Sequence, residues 1–454
     1  MKLLFLSLLT LFSFCKKDSN TPVKTDPTYA QYGTPFTGVP NTTDAAIYQV
    51  NLRAFSQNHD FKSVTAKLDA IKALGINVVY LMPIYTVGVE KSAGGLGSPY
   101  AVKDYKAVNT EFGNLDDLRA LVDAAHAKGM AVMLDWVANH TSWDNAWTAN
   151  KSWYKQDGAG NFIPPAGTNW SDVIALDYTN KDMRAAMIDA LKYWVYNANV
   201  DGFRCDYADF VPQNFWSEAI TKLRSIKKNQ NILMLAEGSK VNHFASGFDY
   251  TFGFNFFSTL EKVFKENKPA TTIQDSNTTE YANNYNPENR VVRYTSNHDV
   301  NLSEGTPLEL FGGKKGSVAT FVVAAYLKSV PMIYNGQEIG YDKRLNYFAK
   351  TPIDWTTADD SMLAEYKKII AFRNSSSAIK KGTYTGYSSD AVSAFTMIND
   401  SEKVFVLSNL TNNTVKYLVS PALKASWKDA FTGASVTVGS ELTLQPFQYL
   451  ILKN

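Results

Sequence analysis

The stretch Val200–Phe210, "VDGFRCDYADF", decides how the rest of the chain is read. Its apolar residues and its glycine read as a buried strand, yet it holds Arg204 and Asp206 two positions apart. Charged side chains are rarely buried unless they are paired. Residues i and i+2 of a strand point to the same face, so this arginine and this aspartate share a side. Such a pair is either a structural ion pair or the end of a strand that carries a working site.

Working outward, the same kind of strand recurs in alternation with helices. "AAIYQVNL", "INVVYLMPI" and "MAVMLDWV" read as strands before it, and "NILMLAEG", "RVVRYTSN" and "VPMIYNG" after it. Between them, "FKSVTAKLDAIKAL", "LDDLRALVDAAHAKG", "KDMRAAMIDALKYWVYNA", "PQNFWSEAITKLRSIKKN" and "GSVATFVVAAYLKS" have the 3.6-residue spacing of amphipathic helices. Continuous apolar strands that alternate with helices predict a parallel sheet covered on both faces. The number of units predicts a closed (β/α)8 barrel of the TIM type, an α/β fold with insertions. No glycine-rich phosphate loop follows the first strand, which argues against an open doubly wound sheet.

The flanks complete the organisation. Residues 1–14, "MKLLFLSLLTLFSF", read as a signal peptide, too short to span a bilayer. Residues 15–43 begin with Cys15 and continue polar and proline-containing, which predicts a flexible tether. The barrel is expected over 44–141 and 179–376, with a loop-rich insertion at 142–178 that holds Trp143, Trp147, Trp153 and Trp170. From 377 to 454 short runs alternate polar and apolar between turns, the pattern of a C-terminal antiparallel β-sandwich. A net charge of +2 and no basic run exclude an electrostatic footprint for nucleic acid. With Cys205 the only cysteine besides Cys15, no disulfide is expected.

Barrel enzymes place their chemistry at the C-terminal ends of the strands. Those ends read "LDWVANH", "GFRCD", "LAEG" and "TSNHD", and bring forward Asp135, Asn139, His140, Arg204, Asp206, Glu237, His298 and Asp299. Taken singly, an aspartate at a strand end is often a helix cap and a histidine a satisfied structural group. Taken together, four strand ends would each need a separate explanation. Acids with arginine and histidine, and no serine–histidine or thiol pair, point to hydrolysis by two carboxylates. Asp206 and Glu237 are expected on neighbouring strands, about 4.8 Å apart. That suits the roughly 5–5.5 Å carboxyl separation of retaining glycosidases. Arg204 is expected to hold Asp206 ionised, since an adjacent cation lowers a carboxylate pKa.

With these residues in order, the chain resembles the α-amylase family of glycoside hydrolases over nearly all of its expected mature length. The matching segments are "DWVANH", "GFRCD", "LAEG" and "SNHD", supported by "SPYAVKDYKAVNTEFG" and "YNGQEIG". The resemblance implies Asp206 as nucleophile, Glu237 as general acid/base and Asp299 as the group that binds and distorts the sugar. It implies Tyr100 stacked under that sugar, with His140, Arg204 and His298 bonded to it or positioning the acids. The implied activity is retaining cleavage of α-1,4-glucosidic bonds in starch or maltooligosaccharides. An α-glucosidase, a cyclomaltodextrinase-like enzyme or a transglycosylase would use the same acids, and a non-catalytic glucan-binding lipoprotein would keep the fold. No cofactor is required for such chemistry.

Two departures from the family pattern stand out. Asp209 and Phe210 occupy places where many α-amylases carry a lysine–histidine pair that contacts the leaving sugars. The family's calcium site often pairs the asparagine matching Asn139 with an aspartate, and here Ala175 stands in that aspartate's place. This leaves a structural calcium as a weakened expectation and the metal ligands unknown. Cys15 after the apolar run resembles a bacterial lipoprotein junction, although Phe14 departs from the small residue usual there. The protein is expected to be exported and held by lipid at the cell envelope, periplasmic or on the outer-membrane surface. Its membrane contact would run only through that cysteine.

Overall fold

The structure is a computed structural model and describes residues 29–226, 231–282, 284 and 286–454. The expected signal peptide and Cys15 lie outside the described residues. Eight parallel strands close a barrel: β1 Ile47–Val50, β2 Val78–Leu81, β3 Ala131–Val137, β4 Gly202–Asp206, β5 Leu233–Ala236, β6 Tyr250–Phe252, β7 Arg290–Arg293 and β8 Ser329–Tyr334. Each strand pairs with the next in chain order, and β8 returns to β1 with Met332 opposite Ile47. The expected α/β barrel is therefore the observed one, with β6 as the strand the sequence pattern did not reveal. At three residues it is too short to display a period.

The strands are buried end to end, so their apolar runs do not alternate. Around them lie helices such as Phe61–Ala73, Leu115–Ala127, Lys181–Asn197 and Gln213–Arg224. Leu115–Ala127 shows why its sequence makes a helix there. Asn114 and Asp117 form a reciprocal capping box at its start, and Gly129, at φ 69°, supplies the left-handed turn beyond its end. One buried face, from Leu118 to Ala125, docks it on the barrel.

The segment after β3 returns as a small ladder, with His140–Ser142 antiparallel to Val173–Ala175. It carries two short 3-10 turns and no longer helix. A helix over Asp360–Ser375 and a short one over Ser377–Lys381 lead into the C-terminal domain. There β9 Thr383–Gly386, β10 Val392–Asn399, β11 Glu402–Asn409, β12 Val415–Leu418, β13 Ala425–Asp429, β14 Ser435–Val438, β15 Glu441–Leu444 and β16 Tyr449–Lys453 form the antiparallel sandwich. Its larger sheet runs β9-β10-β11-β16-β13-β14 and faces the β12–β15 pair. Both faces of that larger sheet are covered. Val392, Phe405 and Leu452 point into the sandwich core, whereas Phe395, Val406 and Ile451 join the core of the barrel.

Candidate active site

Four of the barrel strands end in the residues that matter. β4 and β5 pair in register with Cys205 opposite Ala236, so Asp206 and Glu237 leave the sheet side by side. Below them Arg204 is fully buried and touches three carboxylates at once. Its Nη1 donates to Asp135 Oδ1 at 2.7 Å and to Asp206 Oδ1 at 3.0 Å, and its Nη2 pairs with Glu237 Oε1. Backbone geometry completes the arrangement. Tyr207 turns left-handed at φ 48°, and its N–H donates to Glu237 Oε2 at 2.8 Å. A non-glycine residue in that region costs about 1–2 kcal/mol, a cost set beside an amide aimed at the second acid.

One guanidinium cannot neutralise three carboxylates. Burial, reinforced by Glu237, lifts the Asp206 carboxyl well above its usual range, and Arg204 offsets only part of this. The expected Arg204–Asp206 pair is present, and the same guanidinium is shared with Glu237 and Asp135. Asp135 is likewise lifted by burial, to about 6, against the opposing pull of Arg204 and of the Tyr80 hydroxyl. It is no helix cap. Tyr80 donates to its Oδ2 at 2.5 Å and Tyr100 to the same atom at 3.1 Å.

A directed chain of hydrogen bonds fixes His298. Gln49 Nε2 reaches His298 Nδ1 at 2.8 Å, and an amide nitrogen only donates. Nδ1 therefore accepts, and Nε2–H donates to the Tyr100 hydroxyl at 2.6 Å, which in turn donates to Asp135. Burial, with Arg204 adding to it, lowers His298 to about 3 and keeps it neutral. Burial lowers His140 to about 4. Asp299 follows His298 and accepts from the Tyr347 hydroxyl at 3.2 Å.

These groups open on a cleft of about 610 Å³, within the usual range for ligand sites. Tyr100, His140, Asp206, Glu237, His298 and Asp299 all line it, as expected, while Arg204 lies beneath the floor. Asn139 does not line it. Its Nδ2 faces His140 Nδ1 at 3.3 Å and its carbonyl accepts from Leu176 N–H. Ala175, opposite His140, brings a methyl group, and no cluster of three or more histidine, cysteine or acidic side chains fit for a metal occurs among the described residues.

The cleft also exposes residues the sequence did not single out. Tyr347 comes from the loop after β8, and Tyr207 from the turn after β4. Trp170, from the insertion, meets His140 edge-on at 5.5 Å and Tyr207 at 4.8 Å. The tryptophan-rich insertion was the available signal for Trp170. Nothing in "RLNYFAK" marks Tyr347, because that loop has no periodicity.

Comparison with known proteins agrees with this geometry. The model of the α-amylase catalytic domain matches residues 41–163 and 167–413. The chain is 26% identical to α-amylase 2 of Dictyoglomus thermophilum over 87% of its own length and 70% of that protein. It is also 26% identical to neopullulanase 2 of Thermoactinomyces vulgaris, over 87% of its length and 71% of that protein. The crystal structure of an α-amylase from Lactobacillus plantarum superposes with a TM-score of 0.81 at 27% identity, covering 91% of this chain and 99% of that one. A barrel with paired carboxylates at the ends of neighbouring strands defines the class, a glycoside hydrolase. The chain belongs to the α-amylase family, whose members are retaining enzymes acting on α-glucans.

Proposed function

We propose that the protein cleaves α-1,4-glucosidic bonds in starch or maltooligosaccharides, with Asp206 as nucleophile, Glu237 as acid and base, and Asp299 binding the sugar that is cut. The observation that carries this reading is the pairing of Asp206 and Glu237, on strands in register, through one buried guanidinium. The Asp206 carboxylate attacks the anomeric carbon as Glu237 gives its proton to the leaving oxygen. Water then loses a proton to Glu237 and attacks the glycosyl ester, which frees Asp206 with the configuration retained. The first step needs Asp206 ionised and Glu237 carrying the proton, and the two carboxyl groups are held side by side by the one guanidinium for that division of roles. Tyr100, His140, Arg204 and His298 orient the sugar or the acids from below and from the sides.

The test uses a form lacking the first 15 residues, incubated with starch, pullulan, cyclodextrins, maltose and isomaltose. Mixed maltooligosaccharides from starch support the reading, and glucose from short substrates alone would favour a glucosidase. Asp206→Asn should lower turnover by on the order of 10⁴ or more with an unchanged melting temperature; near-normal turnover would remove Asp206 from its role. We further propose a lipid anchor on Cys15 at the cell envelope, supported by the apolar run before it. Cys15→Ala should then release the protein from membrane fractions, and persistent membrane association would refute the anchor.

A further inference from the structure

Away from the catalytic cleft, a second hollow of about 640 Å³ opens on the seam between the barrel and the C-terminal sandwich. One wall is helical. The helix Gly313–Tyr326 brings Lys314, Lys315 and Val318, and one face of the helix Asp360–Ser375 brings Ser361, Glu365 and Lys368. The other wall comes from two turns of the sandwich. Asp429, Phe431 and Thr432 lie between β13 and β14, and residues 445–449 lead from β15 into β16.

Three aromatic rings line the hollow, Phe431, Phe447 and Tyr449, and each is only half-buried. Phe431 and Tyr449 meet edge-on at 6.3 Å, and Lys368 Nζ stands 4.8 Å and 5.3 Å from their ring centres. Phe447 has a left-handed backbone, at φ 55°, which is rare for a bulky side chain. Its ring fits against the start of the helix because Gly312 has no Cβ, which would fall 2.6 Å from the ring's Cζ. Backbone outliers of this kind gather at sites that grip ligands.

The charges here are matched. Lys314 pairs with Asp359, and Lys368 pairs at 2.7 Å with Glu365, which also accepts from the Tyr449 hydroxyl. Asp429 accepts from the N–H groups of Phe431 and Thr432. With two of its three lysines paired and its acids engaged, the hollow selects no strongly charged ligand. Hydroxyl, amide and ammonium groups set among half-exposed rings suit a neutral polyhydroxylated ring, apolar faces on the aromatics and hydroxyls on the polar groups. The helix Asp360–Ser375 is entered from the loop after β8 that carries Tyr347, so the hollow lies toward the side of the barrel where the cleft opens.

We propose that this hollow is a second glucan-binding site, which holds one part of a polymeric substrate against the seam while another part is cut in the cleft. The ligand class rests on the function proposed above, and the experiment separates the two. Retardation by soluble starch in native gels is measured for Asp206→Asn alone and combined with Phe431→Ala or Ser361→Arg. The same two changes are made in the active enzyme, and kcat/KM is measured on insoluble starch and on maltotriose. Ser361 is exposed, so an arginine there fills the hollow without entering the core. Each change should weaken retardation and lower kcat/KM on insoluble starch by about fivefold, with maltotriose kept within about twofold. Retardation unchanged by Ser361→Arg, or a loss on maltotriose as large as that on starch, overturns the site. Starch bound through this hollow by a wild type that turns over no α-glucan overturns the functional reading and leaves the site standing.

Discussion

Arg204 shows how much one side chain can organise. Its two residues of separation from Asp206 predict that both share a face, and they do. That Asp135 and Glu237 converge on the same guanidinium follows only from closure of the barrel. The two buried histidines of the cleft, His140 and His298, carry a pH dependence whose sign is fixed. His140 and His298 stay neutral in the fold down to about 4 and about 3, against 6.5 when unfolded. The unfolded chain therefore takes up these protons first, so the stability present above pH 6.5 is lost as pH falls below it. Each histidine contributes a slope approaching about 1.4 kcal/mol per pH unit. Between pH 7 and 5, the unfolding free energy of the wild type should fall by about 2 kcal/mol relative to His140→Gln. A constant difference would mean that His140 charges within the fold.

At the scale of elements, the loops that shape the cleft are held by Arg53, in the short helical turn Leu52–Phe55 after β1. Its Nη1 donates to the carbonyls of Gly97 at 2.6 Å and Tyr347 at 2.7 Å, its Nη2 to that of Leu96, and its head pairs with Glu111. One buried cation thereby ties the segment leading to Tyr100 to the loop carrying Tyr347. Arg53→Met should lose about 2–4 kcal/mol of stability, because carbonyls and Glu111 are left without their donor. KM should rise by roughly tenfold with a smaller change in kcat, as expected when positioning rather than chemistry is lost. Unchanged KM in a destabilised variant would confine Arg53 to stability. Long helices were legible as elements because their caps and periodicity are local, as at Asn114 and Gly129. The three-residue β6 was not, since its strand character comes from its pairing with β5 and β7.

Across the whole molecule, the C-terminal sandwich is more than an appended domain. Its larger sheet gives one face to its own core and the other to the barrel, and Ser408 Oγ donates to Ala319 O of the helix Gly313–Tyr326 at 2.9 Å. The alternating pattern predicts the strands but not that both faces are covered. By itself the sequence determined the barrel, the sandwich and five of the cleft-lining residues, His140, Asp206, Glu237, His298 and Asp299, because strand periodicity, helix caps and polar strand ends are written in neighbouring positions, while Tyr100 came from the family resemblance. Only the tertiary structure decided that one arginine serves three acids, that Asp209 is paired with His243, and that Trp170 and Tyr347 complete the cleft. Those contacts join residues tens to hundreds of positions apart, and their energies exist only once the barrel closes and excludes water from the space between them.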